Sequence, residues 1–190
     1  MNLPNRLTIL RILISPLFLL TLLIDFPHHL LVALILFLSA SLTDLIDGKI
    51  ARSRGLVTDF GKFLDPLADK MLTTAAFLGF LDLNLGHGMV WITFIVLIRE
   101  FLIVSLRLVS SGQGRVIAAN IWGKAKTVSQ MAAIILVIFS EYLISTGITA
   151  DFSSIIRSVC SAVLWFSTLL TIISGVIYVK DNRQFISTRK

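Results

Sequence analysis

Residues 88–109 read GMVWITFIVLIREFLIVSLRLV, and the fold class turns on them. Their only charges are Arg99, Glu100 and Arg107; Thr93 and Ser105 are small and uncharged, and nearly everything else is apolar. A helix needs about 20 such residues to cross the hydrocarbon core of a bilayer. A transmembrane barrel strand would need about 10, with strict alternation of polarity, and no alternation is present. The stretch therefore predicts a membrane helix. Similar runs lie at about 7–24, 29–47, 63–83, 127–146 and 155–179. Six spans would take about 120 residues and leave only short connections in a chain of 190. Composition agrees: 56% of residues are hydrophobic and 15% charged, where a soluble domain carries about 25% charged residues. Mean hydropathy is +0.90. These values exclude disorder, coiled coil and a soluble nucleic-acid-binding domain. The expectation is an all-α integral membrane protein of six transmembrane helices, without linker or repeat and so a single domain over 1–190.

Met1–Ile24 has basic residues before an apolar run, as a signal peptide would, but shows no small-residue cleavage site and is read as a retained first helix. The single cysteine, Cys160, allows no internal disulfide. The net charge of +6 is unevenly spread. Arg6, the 49–62 loop, the 107–126 region and the tail from Lys180 to Lys190 are basic, whereas the alternate connections hold Asp25, Asp82, Glu141 and Asp151. Short cytoplasmic loops are enriched in Lys and Arg, so both termini and the basic loops are expected on the cytoplasmic side. Attraction to anionic lipid headgroups accounts for the charge without nucleic acid.

Five of the eleven acids fall between Asp44 and Asp69. Asp44 and Asp47 are spaced i, i+3 near the end of the second run; Asp65 and Asp69 are spaced i, i+4 near the start of the third. Each spacing stacks two carboxylates a turn apart on one helix face. Four carboxylates facing one another in a low dielectric would repel, and hard divalent cations relieve that repulsion through oxygen ligands. Pairing with Arg52, Arg54, Lys62 and Lys70 is the plainer reading. For four ionisable residues inside spans it is the weaker one, because intramembrane charge is functional by default. Gly48 and Ala51 would let a ligand approach the backbone, Arg52 could fork onto a phosphate, Thr58 adds a hydroxyl, and Gly61 removes bulk. Together these residues suggest a phosphate-bearing substrate beside a metal.

The set Asp44, Asp47, Gly48, Ala51, Arg52, Gly61, Asp65 and Asp69 spells D-x2-D-G-x2-A-R-x8-G-x3-D-x3-D. This resembles the signature of the CDP-alcohol phosphotransferases, membrane enzymes of phospholipid synthesis. NLPNRLTILR at the start, GKFLDPLADK, IREF with LRL, and GKAKT from Gly123 resemble those members that use CDP-diacylglycerol and sn-glycerol 3-phosphate. Lys49-Ile50 departs from the aromatic or larger apolar residue expected after the glycine. The resemblance implies six helices around a cytoplasm-facing polar cavity, a homodimer in the cell membrane, and phosphatidyl transfer with release of CMP. It implies that Asp44, Asp47, Asp65 and Asp69 bind Mg²⁺ or Mn²⁺ and that Asp69 is also the general base. Gly48, Arg52 and Thr58 would contact the cytidine diphosphate part, Ala51 and Gly61 would leave room for it, and Asn5, Thr8 and Arg11 would complete the donor site.

A small dianionic acceptor needs convergent cations. Arg99, deep in its span, and Arg107, two turns on, are the candidates, with one of Lys124 and Lys126 binding while the other reaches lipid heads. Glu100 is expected to point elsewhere on the helix and to satisfy another polar group, and Tyr178 to anchor at the interface. Two other readings stay open: the same chemistry with another acceptor, such as inositol phosphate, serine or a phospholipid, and a divalent-cation transporter.

Overall fold

The computed structural model describes the backbone of residues 3–53, 59–112 and 121–183; the side chains of 3, 4, 44–53, 59–63, 65, 66, 69, 111 and 112 fall outside that description. The described residues form six long helices and no strand: α1 Leu3–Leu23, α2 His29–Ser53, α3 Asp59–Asp82, α4 Met89–Gly112, α5 Ile121–Ser145 and α6 Ser153–Asp181. A 3-10 turn at Ala150–Phe152 precedes α6.

The buried face of α1 shows how the sequence organises the bundle. Asn5, Thr8, Arg11, Ser15, Phe18 and Leu22 are all buried and recur every three or four residues, as one helix face must. Along that face the side chains change from polar to apolar. The same change runs through the other helices. Phe18 and Leu22 of α1 share one apolar cluster with Leu30 and Phe37 of α2, Phe77 and Phe80 of α3, Met89 and Ile92 of α4, Ile134 and Ile138 of α5, and Leu164 of α6. Those residues come from the end of α1, the start of α2, the end of α3 and so on, so successive helices run in alternate directions. The opposite half of the bundle is polar inside: Glu100, Lys126, Gln130, Thr171 and Ser174 are buried there.

Close approach fixes some of the helix pairs. Gly79 of α3 lies against Leu22 of α1, where a Cβ would collide with the leucine side chain. Gly88 holds φ +73° beneath the Trp165 ring, and Trp165 Nε1 donates to the His87 carbonyl at 2.9 Å. Outward-facing residues such as Leu13, Leu17, Ile35, Phe101, Leu108, Val128, Phe166 and Val176 are exposed. Apolar exposure on this scale calls for lipid rather than water, so this is a membrane protein. Among the described residues four segments are long and apolar enough to cross a bilayer (Asn5–Leu23, Met89–Ser110, Ile121–Ser145 and Ala150–Asp181), and His29–Thr43 is a shorter apolar one.

One expectation is corrected. Residues 48–61 are not a continuous polar loop, because α2 runs through Gly48 to Ser53 and α3 begins at Asp59. The residues after the glycine include Lys49, Ala51 and Arg52, which are good helix formers.

Candidate functional site

The polar half of the bundle opens into a cavity of about 460 Å³ lined from α3 by Lys70 and Thr73, from α4 by Arg99, Glu100 and Arg107, from α5 by Lys124, Lys126 and Gln130, and from α6 by Tyr178, among others. Among the described residues five basic side chains face one acid there. Arg99, Arg107, Lys124 and Lys126, singled out from sequence, are thus brought to one cavity. Lys124 and Lys126 both line it although they are two residues apart on α5; they differ in depth, Lys126 being buried and Lys124 exposed.

Glu100 is the centre of the charge arrangement. Lys126 Nζ donates to Glu100 Oε1 at 2.5 Å, Lys70 Nζ to Oε2 at 2.6 Å, and Arg99 Nη1 to Oε1 at 3.0 Å. Arg99 also donates from Nη2 to Ser174 Oγ at 2.8 Å, while its Nε is buried without a hydrogen-bond partner. Its stem passes Gly175, where a Cβ would come within 3.2 Å of Arg99 Cγ. Arg107 Nε donates to the Tyr178 hydroxyl at 3.2 Å, and its guanidinium carbon lies 5.9 Å from the Tyr178 ring centroid. Among the described residues no carboxylate pairs with Arg107 or Lys124. Among the described residues the cavity therefore holds three cations gathered on one carboxylate at depth and two further cations nearer its mouth. That arrangement suits a small anion.

Two expectations change here. Glu100 satisfies other polar groups as expected, Lys70 and Lys126, but it does not point away from Arg99: both side chains are long enough for their tips to converge, although adjacent residues leave a helix about 100° apart. Tyr178 is buried beside Arg107 instead of anchoring at a headgroup surface. Lys70, Thr73, Glu100, Gln130, Ser174 and Tyr178 are among the polar residues that sequence reasoning left out of the site. A signal for α6 was present, since Ser167, Thr171, Ser174 and Tyr178 repeat at three- and four-residue intervals in an otherwise apolar helix.

On the donor side, Asn5, Thr8 and Arg11 are buried along one face of α1, the helix that packs on α2 and α3. Asp44, Asp47, Gly48, Ala51 and Arg52 belong to α2, and Gly61, Asp65 and Asp69 to α3. Their side chains, and Thr58 entirely, lie outside the described residues. The helical backbone keeps Asp44 and Asp47, and likewise Asp65 and Asp69, one turn apart. Among the described residues no group of three or more His, Cys, Asp or Glu side chains could hold a metal. An all-carboxylate donor set fits a hard divalent cation.

Comparison with known proteins adds the following. The family described as CDP-alcohol phosphatidyltransferase matches residues 1–174. A Bacillus subtilis (strain 168) protein named CDP-diacylglycerol–glycerol-3-phosphate 3-phosphatidyltransferase is 36% identical over 98% of both chains. A Mycobacterium tuberculosis (strain H37Rv) protein named probable phosphatidylglycerophosphate synthase is 38% identical over 94% of this chain and 80% of its own. A Rickettsia bellii protein with the same name as the Bacillus one is 34% identical over 97% of both.

Proposed function

The chain belongs to the CDP-alcohol phosphatidyltransferase family, and on that premise we propose that it transfers the phosphatidyl group of CDP-diacylglycerol to sn-glycerol 3-phosphate, releasing CMP. The names of its near full-length relatives support this reaction. The observation that carries the acceptor is the cavity whose described lining has five basic side chains and one acid. An uncharged alcohol would not need so many cations, whereas a phosphate dianion does.

The division of labour follows from position. The alcohol attacks the phosphorus that bears the diacylglycerol, and the bond to the CMP oxygen breaks. Asp69 takes the proton from that alcohol. Along α3 it precedes Lys70 by one residue and Thr73 by four, about one turn, and both of those residues line the cavity, which supports this role. Arg99 and Arg107, with Lys124 and Lys126, hold the acceptor phosphate and aim its free hydroxyl. On the other side Gly48, Ala51, Arg52, Thr58 and Gly61, with Asn5, Thr8 and Arg11, hold the cytidine diphosphate part. Asp44, Asp47, Asp65 and Asp69 would ligate Mg²⁺ or Mn²⁺; when bound, such an ion offsets the charge that develops on the pyrophosphate.

We further propose that the chain is one domain with all six helices crossing the cell membrane. At 25 and 24 residues and about 1.5 Å per residue, α2 and α3 are also long enough. The Lys/Arg bias puts both termini and the cavity mouth on the cytoplasmic side. A homodimer is the expected assembly.

The test is CMP release by the purified protein in detergent, given CDP-diacylglycerol, Mg²⁺ and a panel of acceptors. Release with glycerol 3-phosphate, abolished by EDTA and by Asp69→Asn, is expected. Release with a different alcohol would overturn the acceptor assignment. No release from folded protein with any acceptor would overturn catalysis, and metal flux into sealed vesicles without donor lipid would favour transport.

A further inference from the structure

We infer that Glu100 is the positioning residue of the acceptor cavity: one buried carboxylate ties cations of three helices into the array that receives the acceptor phosphate. The inference rests on the reading of this cavity as the acceptor site. Its basis is the contact set. Lys70 of α3, Arg99 of α4 and Lys126 of α5 all donate to the same carboxylate, at 2.6, 3.0 and 2.5 Å. The Glu100 side chain is 9% exposed and that of Lys126 only 7%. A lysine buried to that degree needs a paired, hydrogen-bonded counter-charge.

An acid in an anion-binding cavity looks counterproductive, since it weakens the local potential. The geometry supplies the reason. Lys70, Arg99 and Lys126 carry like charges on three different helices, and without a shared acceptor they would repel and turn apart. Glu100 sets their spacing before substrate arrives, so less ordering remains for binding to do. It also leaves Arg107 and Lys124 as cavity cations without a carboxylate partner among the described residues.

Charge and position predict opposite results for Glu100→Gln. If Glu100 acted only through charge, removing it would make the cavity more positive and lower KM for glycerol 3-phosphate. If it positions the cations, KM for glycerol 3-phosphate rises despite the added positive charge. We expect a rise of at least tenfold, with KM for CDP-diacylglycerol changed less than twofold and a smaller rise in Glu100→Asp. A KM for glycerol 3-phosphate that falls or stays level would overturn the proposal, as would an equal rise in both KM values.

Because Glu100→Gln leaves Lys126 without its countercharge, the double variant Glu100→Gln/Lys126→Gln is measured alongside it. This pair removes opposite charges together and restores a hydrogen-bonding contact. With Lys126→Gln alone as the reference, a folded double variant whose KM for glycerol 3-phosphate is higher still supports positioning of Lys70 and Arg99 by the carboxylate, and one whose KM equals that of Lys126→Gln refutes it. The wild-type acceptor panel separates failure of the parent reading: if the unaltered protein uses another alcohol, the glycerol 3-phosphate assignment fails. The same two-substrate comparison with that alcohol then decides the role of Glu100.

Discussion

Arg99→Gln is expected to damage use of the phosphorylated acceptor far more than Arg107→Gln, although both remove one cation from the same cavity. The Arg99 side chain is 13% exposed and is held by Glu100 at 3.0 Å and Ser174 at 2.8 Å. A unit charge about 4 Å from a phosphate charge is worth about 4 kcal/mol at an effective dielectric near 20. Glu100 beside it offsets part of that attraction, and truncation of buried charge pairs costs about 2–5 kcal/mol. We therefore expect a loss of about 3 kcal/mol, on the order of a hundredfold in kcat/KM for glycerol 3-phosphate. Arg107 is exposed, and screening reduces such an interaction to about 1 kcal/mol, on the order of fivefold and weaker still at high salt. The assay is CMP release over a range of glycerol 3-phosphate concentrations, with slow release to water as the background. Arg99→Lys keeps the charge but cannot reach Glu100 and Ser174 together, so its loss should lie between wild type and Arg99→Gln. The reasoning is refuted if Arg107→Gln costs more than Arg99→Gln. It is refuted equally if Arg99→Gln lowers the water background by the same factor as the acceptor-dependent rate.

Three further outcomes follow from particular contacts. Tyr178→Phe keeps the ring under Arg107 but removes the hydroxyl 3.2 Å from its Nε; losing one hydrogen bond of about 1 kcal/mol should raise KM for glycerol 3-phosphate about fivefold, and an unchanged KM would show that Tyr178 does not place Arg107. Glu141 accepts from Arg157 through both carboxylate oxygens at 2.9 Å, yet the arginine side chain is 58% exposed, so Glu141→Gln should cost only about 1 kcal/mol. That is a fall of a few degrees in the unfolding midpoint in detergent, with turnover retained because Glu141 lies about 20 Å along α5 from Lys126; lost turnover would contradict this. Gly79→Val must displace Leu22 and should cost about 1–3 kcal/mol through overpacking. An unchanged midpoint would mean that α1 and α3 are not in that contact.

How far the sequence could be read depended on whether a feature is local. The apolar runs became helices because their length and lack of alternation belong to each segment alone. The aspartate signature is also local, being spacing along two helices. Arg99 and Arg107 could be singled out from charge at depth. Contacts between helices were another matter. Glu100 looked turned away because helical wheels describe Cβ directions, and its partners Lys70 and Lys126 come from α3 and α5. Tyr178 looked like an interfacial anchor because it sits near a span end, and only its packing against α4 turns it inward. The α2 boundary was placed short because the apolar run ends at residue 47, whereas the polar residues after it sustain the helix to Ser53.

On the proposed reading, the polar half of the bundle also gives a reason for one helix, α3, to stand between the two substrates. CDP-diacylglycerol keeps its tails in lipid, whereas glycerol 3-phosphate comes from water, so the site has to join two phases at one depth. On the proposed reading the donor is held by α1, α2 and the start of α3, and the acceptor by α3 through α6. The position where they meet is the stretch from Asp65 to Thr73, which carries two of the four aspartates and, one residue and one turn past Asp69, the cavity-lining Lys70 and Thr73. The pairing of Lys70 with Glu100 ties that stretch of α3 to the acceptor array, so a shift of the array would be felt at Asp69. On the proposed reading, a cavity with one acid among five bases in its described lining can serve a proton transfer for this reason: the acid fixes the helix that carries the base, and the bases fix the alcohol it must reach.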